Sequence, residues 1–328
     1  MRKLLIICAC WGVLDPGAAR AATDKSRFVR NLEAGQKQTL VAFGTSLTAV
    51  GAWVDQLRSV AGKQFPGLVT VVNGAQGGAN SDWGRQSLDE KVLAHRPDTV
   101  LIEFSVNDAV AKRKTSVAHA RQNLENMIDR ILEAGPGTEV ILMVMNPAVG
   151  HTGAERPYLA EYNQMYRDVA QERGLQLVDH FPAWEQVLRE DPRSFVQFMP
   201  DAIHPMREGS LHVSAPLVIR SLGLAPGEPA ASRDEPMERY LFWGLMDQDK
   251  DRQVTAAEFD AYWAGQFVKT DTDGDQALNA DELGAVELLQ LFDADSDGKV
   301  GSAEYIATFR PSFHRHATGP GPSIQRDK

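Results

Sequence analysis

From Gln38 to about Leu222 the chain alternates short apolar runs with stretches of helical periodicity, and no other feature restricts its fold as much. The runs are 39–43 (TLVAF), 68–72 (LVTVV), 98–104 (DTVLIEF), 138–145 (TEVILMVM) and 175–179 (LQLVD). Between them Trp53, Val54, Leu57 and Val60 recur at helical spacing, as do Leu124, Met127, Ile128 and Ile131, and then Leu159, Tyr162, Met165, Tyr166 and Val169. Alternation of this kind predicts an α/β architecture, a central parallel sheet with helices on both faces. In such sheets the functional crevice lies outside the carboxyl ends of the strands.

The flanks of this region differ in character. The first residues, MRKLLIICACWGVLDPGAARAA, combine two basic residues, an apolar stretch too short to span a bilayer and the small-residue pattern Ala19-Arg20-Ala21. They read as a signal peptide over 1–21, which predicts a secreted or periplasmic protein. Both cysteines, Cys8 and Cys10, fall inside that segment, so the mature chain is expected to hold no disulfide. Cys10 loosely matches a lipid-attachment site, although the apolar stretch before it is short. No later run of about 20 apolar residues occurs, so no membrane span is expected.

Residues 223–237, rich in Pro, Gly, Ala and Ser, read as a linker, 238–310 as a second, helical domain, and 311–328 as a disordered tail. The formal net charge of −10 is concentrated in that second domain, where Asp247 to Glu304 holds fifteen Asp and Glu against four Lys and Arg. A block this acidic repels nucleic acid and attracts cations.

Four features of the first domain sit at or just beyond strand ends: Gly44-Thr45-Ser46, the glycine-rich loop NGAQGGANSDW from Asn73 to Trp83, SVND from Ser105 to Asp108, and DAIHP from Asp201 to Pro205. Each has an ordinary structural use, since a lone Ser caps helices, glycines serve turns and a lone His is commonly a surface residue. Together they supply the parts of a nucleophilic site. A serine hydroxyl is a weak nucleophile until a base takes its proton, and His204 can be that base, with Asp201 three residues upstream to hold the other ring nitrogen. The Ser46 N–H, the Gly78 N–H and the Asn107 amide can receive the negative charge that develops on an attacked carbonyl oxygen. Pro205 biases His204 away from helical geometry and toward an extended loop. Trp83, Arg85 and His151 are candidates for the crevice walls, PAVGHTGAERP (Pro147 to Pro157) for a lid, and His180 for a structural or rim residue.

In their order along residues 36–222 these blocks resemble the SGNH, or GDSL-type, serine hydrolases. The resemblance implies a flavodoxin-like three-layer sandwich, Ser46, Asp201 and His204 as catalytic residues, and Ser46, Gly78 and Asn107 as the oxyanion hole. It further implies an esterase acting through an acyl-serine on a small-molecule or polysaccharide ester, with a carbohydrate O-acetyl ester as first expectation and no catalytic cofactor. Two departures are Thr45, where the family has Asp, and Ser105, where it has Gly. They motivate the alternative of a calcium-dependent binding or adhesion protein whose first domain is inactive. A phosphate- or flavin-binding protein would leave Asp201 and His204 without a role.

In the acidic domain, DQDKDRQVTAAE (247–258), DTDGDQALNADE (271–282) and DADSDGKVGSAE (293–304) match the EF-hand calcium loop. Asp247, Asp249, Asp251 and Glu258, then Asp271, Asp273, Asp275 and Glu282, then Asp293, Asp295, Asp297 and Glu304 supply carboxylates at positions one, three, five and twelve. The main-chain carbonyls of Gln253, Ala277 and Lys299 fall at position seven, giving sites for up to three calcium ions. The usual sixth-position glycine is present only as Gly298, with Arg252 and Gln276 in the other two loops. Val254, Leu278 and Val300 occupy position eight, where paired loops form a short ladder in that family. The loops begin 24 and then 22 residues apart, which predicts a compact all-α EF-hand array sharing its helices.

Overall fold

The structure, a computed structural model, describes residues 25–228, 244–251 and 254–317, with side chains to residue 310. The signal-peptide reading of 1–21, most of the linker and Gln253 lie outside the described residues.

The five apolar runs are five strands, β1 (Gln38–Gly44), β2 (Val69–Asn73), β3 (Thr99–Glu103), β4 (Glu139–Val144) and β5 (Gln176–Asp179), and each boundary falls within a residue or two of the sequence reading. They form one parallel sheet in the order β2-β1-β3-β4-β5, with Leu40 paired to both Val71 and Thr99, Leu101 to Ile141 and Leu142 to Leu177. Leu40 to Phe43, Val100 to Ile102 and Ile141 to Val144 have no measurable exposure, which is why these strands read as unbroken apolar runs.

Helix α1 (Arg27–Glu33) precedes β1, and α2 (Ser46–Ala49), α3 (Ala52–Gln64), α4 (Ser81–Lys91), α5 (Ser105–Asp108), α6 (Val117–Ala134), α7 (Gly150–Ala154) and α8 (Leu159–Arg173) connect the strands. After β5 come α9 (Phe181–Glu190), α10 (Pro192–Phe198), α11 (Arg207–Gly209), a π turn at Ser210–Ser214 and α12 (Ala215–Ser221). The crossover from β1 to β2 runs one way along the sheet and the later crossovers run the other way. Right-handed connections therefore put α3 on one face and α4, α6 and α8 on the other. Consistent with this, α3 packs with α12, while α6 packs with both α4 and α8. The strand order reverses between β1 and β3, opening a crevice at their carboxyl ends.

The acidic region comprises α13 (Gly244–Met246), α14 (Ala256–Thr270), α15 (Ala280–Leu283), α16 (Val286–Phe292) and α17 (Ser302–Ala317). Helix α17 continues through residues read from composition as the start of a disordered tail. Pro311 does not stop it, and the Gly- and Pro-rich stretch begins only at Gly319. The 223–237 segment is likewise not a free linker from its first residue: Leu224 is buried, and Gln56 and Gln64 of α3 donate to the carbonyls of Glu228 and Ala225.

A second apolar cluster joins the two regions. Trp184, Phe195, Val196 and Met199 of the sheet-bearing region pack with Phe259, Trp263, Leu283, Leu288, Phe292 and Tyr305. The junction of α15 and α16 lies so close to α7 that a Cβ on Gly284 would stand 3.2 Å from Val149 Cβ and 3.1 Å from the Gly150 nitrogen. With its φ at +83° as well, this position favours glycine.

Candidate active site

Strand β1 delivers the chain to Ser46 through Gly44 and Thr45. Thr45 is the N-cap of α2, its hydroxyl accepting from the Leu47 N–H at 3.2 Å, so Ser46 is the first helical residue and not the cap. The Glu103 carboxylate lies directly behind this turn. It accepts from the Thr45 N–H at 2.6 Å, the Thr45 hydroxyl at 3.0 Å and the Thr48 hydroxyl at 2.7 Å. Gly44 is required here, because a Cβ would fall 2.2 Å from Glu103 Oε1. Burial pushes the Glu103 carboxyl up to about 8 against the opposing effect of these donors.

His204 comes from the loop between α10 and α11. Its Nε2 is 2.8 Å from Ser46 Oγ and its Nδ1 is 2.6 Å from Asp201 Oδ2. Since an ionised carboxylate can only accept, this pairing calls for an N–H on Nδ1 facing Asp201, and a neutral ring then leaves Nε2 to accept from the serine. The loop is a tight bend and not the extended segment expected from Pro205. Asp201 Oδ1 accepts from the N–H groups of Ile203 at 3.2 Å and His204 at 2.7 Å, and Ala202 lies in the left-handed region with φ +68°. These bonds turn the chain back on itself, so a separation of three residues suffices to aim the carboxylate at the ring.

The donors cluster on the same side. Ser46 and Gly78 have no protein acceptor for their N–H groups among the described residues, and Gly78 lies at φ +74°. One amide hydrogen of Asn107 is held by the Ala79 carbonyl at 2.8 Å, which leaves the other for a ligand. Ser46, Gly78, Asn107 and His204 line one cavity of about 530 Å³, whose apolar surface comes from Val50, Val106, Val110 and Ile203. Ser46, Gly78, Asn107, Asp201 and His204, all named from sequence, thus come together at the switch point of the sheet.

The sequence profile of the GDSL-like lipase/acylhydrolase family matches residues 42–210, more than half of the chain and the whole of this constellation. The chain belongs to that family. Among its relatives, an arylesterase from Vibrio mimicus is 28% identical over 140 residues, 43% of this chain and 64% of that protein. The match therefore spans a little less than two thirds of that relative. An acetylxylan esterase from Geobacillus stearothermophilus superposes with a TM-score of 0.50 at 21% identity, covering 60% of this chain and 98% of the other. A lipase/acylhydrolase from Enterococcus faecalis gives 0.49 at 27% identity, over 58% and 99%.

This member of the GDSL-like family holds the His204 loop with residues that no motif marks. Asn146 Nδ2 donates to the Ile203 carbonyl at 2.7 Å, while the Val149 N–H at 3.1 Å and the Thr152 hydroxyl at 3.0 Å both donate to the Ala202 carbonyl. The Pro147–Pro157 segment, expected as a lid, thus props the His204 loop, and its Glu155 and Arg156 line the cavity. His151 faces the acidic region, in a small cavity shared with Thr270 and Leu283. Trp83 packs on Phe43 and Phe104, and neither it nor Arg85 lines the main cavity. His180 is fully buried, with Nδ1 2.9 Å from the Val144 carbonyl, as expected of a structural residue.

In the acidic region, ligand atoms of Asp247, Asp249 and Glu258, of Asp271, Asp273 and Asp275, and of Asp293, Asp295 and Asp297 each gather within 4.8 Å. All-oxygen sets of this density suit a hard cation. The second and third loops are paired as the eighth-position residues suggest, with Leu278 and Val300 exchanging N–H···O bonds of 2.8 and 3.0 Å. Fourth-position Lys250, Gly274 and Ser296 and sixth-position Gln276 and Gly298 all have positive φ, so the backbone makes the sharp turn that brings the carboxylates together. In the second and third loops the twelfth-position carboxylates close the loop instead: Glu282 accepts from the N–H groups of Thr272 and Asn279, and Glu304 from those of Ala294 and Gly301.

Proposed function

We propose that this protein is an exported serine esterase that cleaves acyl esters, in the first instance O-acetyl groups on carbohydrate, and that its acidic C-terminal region is an EF-hand domain loaded with calcium. One observation carries the catalytic part: the unbroken line from Ser46 Oγ through the His204 ring to Asp201, with contacts of 2.8 and 2.6 Å, facing the same cavity as three uncommitted N–H donors. In the first half-reaction Ser46 Oγ adds to the ester carbonyl as its proton passes to His204 Nε2. The oxyanion is met by the N–H groups of Ser46 and Gly78 and the Asn107 amide, and loss of one such donor typically costs about 2.7–4 kcal/mol of transition-state stabilisation. Collapse breaks the ester C–O bond, the alcohol leaves with the proton from His204, and the acyl group remains on Ser46. In the second half, water gives its proton to the same Nε2 and its oxygen to the acyl carbon, releasing the carboxylic acid and restoring Ser46.

Calcium is the cation that the acidic loops fit best, since their donors are carboxylate and main-chain oxygens without nitrogen or sulfur. Asp247, Asp249, Asp251, Glu258 and Gln253, Asp271, Asp273, Asp275, Ala277 and Glu282, and Asp293, Asp295, Asp297, Lys299 and Glu304 would hold it. Its role there is structural, because extracellular calcium fills even sites of about 10⁻⁴–10⁻³ M.

The test of the enzyme reading is fluorophosphonate labelling of the full chain beside hydrolysis of 4-nitrophenyl acetate. Labelling at Ser46 with turnover, both lost in Ser46→Ala, is the expected result. A wild-type protein that neither labels nor hydrolyses the ester would leave the inactive binding protein as the better account.

A further inference from the structure

The cavity that holds Ser46 has a wall whose charge is not needed for attack on a neutral ester. Lys112 and Arg113 reach it from the short turn after α5, and Glu155 and Arg156 from the turn after α7. The two turns are joined by the Ala111 N–H donating to the Glu155 carbonyl at 2.9 Å. Arg156 is only 9% exposed, with Nε donating to the Val106 carbonyl at 2.8 Å and Nη1 to the Thr152 carbonyl at 2.7 Å. Arg113 Nη2 donates to the Gly78 carbonyl at 2.6 Å. These acceptors are main-chain oxygens, which orient a guanidinium without neutralising it.

Glu155 is the one carboxylate in the lining, 3.7 Å from Arg156 and shared with Lys112 at 3.2 Å. Three cations thus face one anion, a local excess of positive charge in a chain whose formal net charge is −10. Burial pushes the Arg156 guanidinium down from its ordinary value; Glu155 and, more weakly, Asp201 beyond the lining oppose that, and Arg113 adds to it. A half-compensated guanidinium inside a cleft is unfavourable in the empty protein and becomes favourable when an anion enters. Planar guanidinium groups match a carboxylate in shape as well as in sign.

We propose that this wall recognises a carboxylate on the substrate, so that the preferred esters are acidic ones. The inference rests on the esterase reading and narrows it. The carboxylate can belong to the alcohol, as in an O-acetylated uronic acid, or to the acyl group, as in the half-ester of a dicarboxylic acid, and the two sources call for separate substrates.

The test measures kcat/KM of the full chain, with calcium present, on 4-nitrophenyl acetate, O-acetylated methyl glucoside, O-acetylated methyl glucuronoside and glucose monosuccinate. The expected result is a preference of roughly tenfold for one of the charged esters over the neutral glucoside, carried by KM, as complementary charge across an interface produces. The preference should shrink as ionic strength rises from about 0.01 to 1 M and the screening length falls from about 30 to 3 Å. Lys112→Glu should bring the charged-to-neutral ratio near unity, and Lys112→Gln should fall between. Preference for the glucuronoside places the carboxylate on the alcohol side, and preference for the succinate places it on the acyl side. Equal kcat/KM for charged and neutral esters, in a protein that still hydrolyses 4-nitrophenyl acetate, overturns the acidic-substrate inference alone. Failure on 4-nitrophenyl acetate as well overturns the esterase reading beneath it.

Discussion

In the sheet-bearing region two carboxylates are shut away from water, Glu103 behind the Thr45–Ser46 turn and Asp108 against the Ser81 N–H at the start of α4. Burial raises Glu103 to about 8 and Asp108 to about 7. In the acidic region most loop carboxylates stand at the surface, and the resolved shifts run the other way. Hydrogen bonds from Thr255, first its N–H, hold Glu258 below its ordinary value, and a hydrogen bond from Lys299 does the same for Asp275. The same functional group is a buried acceptor in one region and part of a solvent-facing cluster in the other. Asp201 stands between these extremes, partly exposed at 15% and tied by two N–H groups while its second oxygen orients His204. What separates the three uses is solvent access and the number of donors within reach, not the residue type.

The comparison breaks most sharply if each carboxylate is turned into an amide. Asp201→Asn should give the largest effect, a loss of about 10⁴-fold in kcat with KM little changed, because an amide can present its N–H₂ to His204 and favour the wrong tautomer. Steady-state kinetics on 4-nitrophenyl acetate decide it, and a loss below about tenfold would remove Asp201 from the relay.

Glu103→Gln is expected to act on stability and its pH dependence. The folded-state value of Glu103 lies above its ordinary 4.5, so its contribution is complete below about pH 4.5 and is lost as pH rises through about 8. Denaturant titrations of the wild type should show stability falling steadily as pH rises across that window, and Glu103→Gln should flatten the slope. Asp108, raised to about 7, leaves a smaller residual slope of the same sign.

The difference between the regions also separates what was legible in the sequence from what was not. Strands buried on both faces leave an unbroken apolar run, and the loop residues of the site sit at fixed offsets from strand ends, so Ser46, Gly78, Asn107, Asp201 and His204 could be named before their geometry was known. Glu103 could not, since it occupies the last position of an apolar strand and its partners Thr45 and Thr48 lie 58 and 55 residues away. Asn146 carries no motif, and its hold on the Ile203 carbonyl spans 57 residues. The spacing of the acidic loops was visible, but the docking of their helices on Trp184, Phe195 and Met199 was not. Apolar helix faces show that they are covered without showing by what.

Calcium should separate the two regions again. If the loops bind it, each site filled at about a hundredfold over its dissociation constant adds about 2.7 kcal/mol to the folded state. Thermal denaturation of the full chain with and without chelator should show the unfolding of the acidic region moving to lower temperature, and magnesium in place of calcium should restore little of it. Identical transitions under both conditions would mean that the acidic clusters hold no structural cation.

The smallest effect lies within the acidic region, where the second and third loops differ at one decisive position. Gln276 and Gly298 both occupy position six with φ of +67° and +87°, but only the glycine enters that region without steric cost. A non-glycine residue there is disfavoured by about 1–2 kcal/mol, and glycine returns part of that through the greater freedom of its unfolded chain. Gln276→Gly should therefore tighten calcium binding at the second loop by only about threefold to fivefold. Gly298→Gln should weaken the third loop by at least as much, because it adds strain to a turn that now has none. Since Leu278 and Val300 tie the two loops together, each substitution should also move the affinity of the other loop in the same direction, by a smaller factor. Calorimetric titration of both variants measures the pair. Opposite signs support a backbone origin for the difference, whereas equal affinities in wild type and both variants would show that the turn conformation does not limit binding.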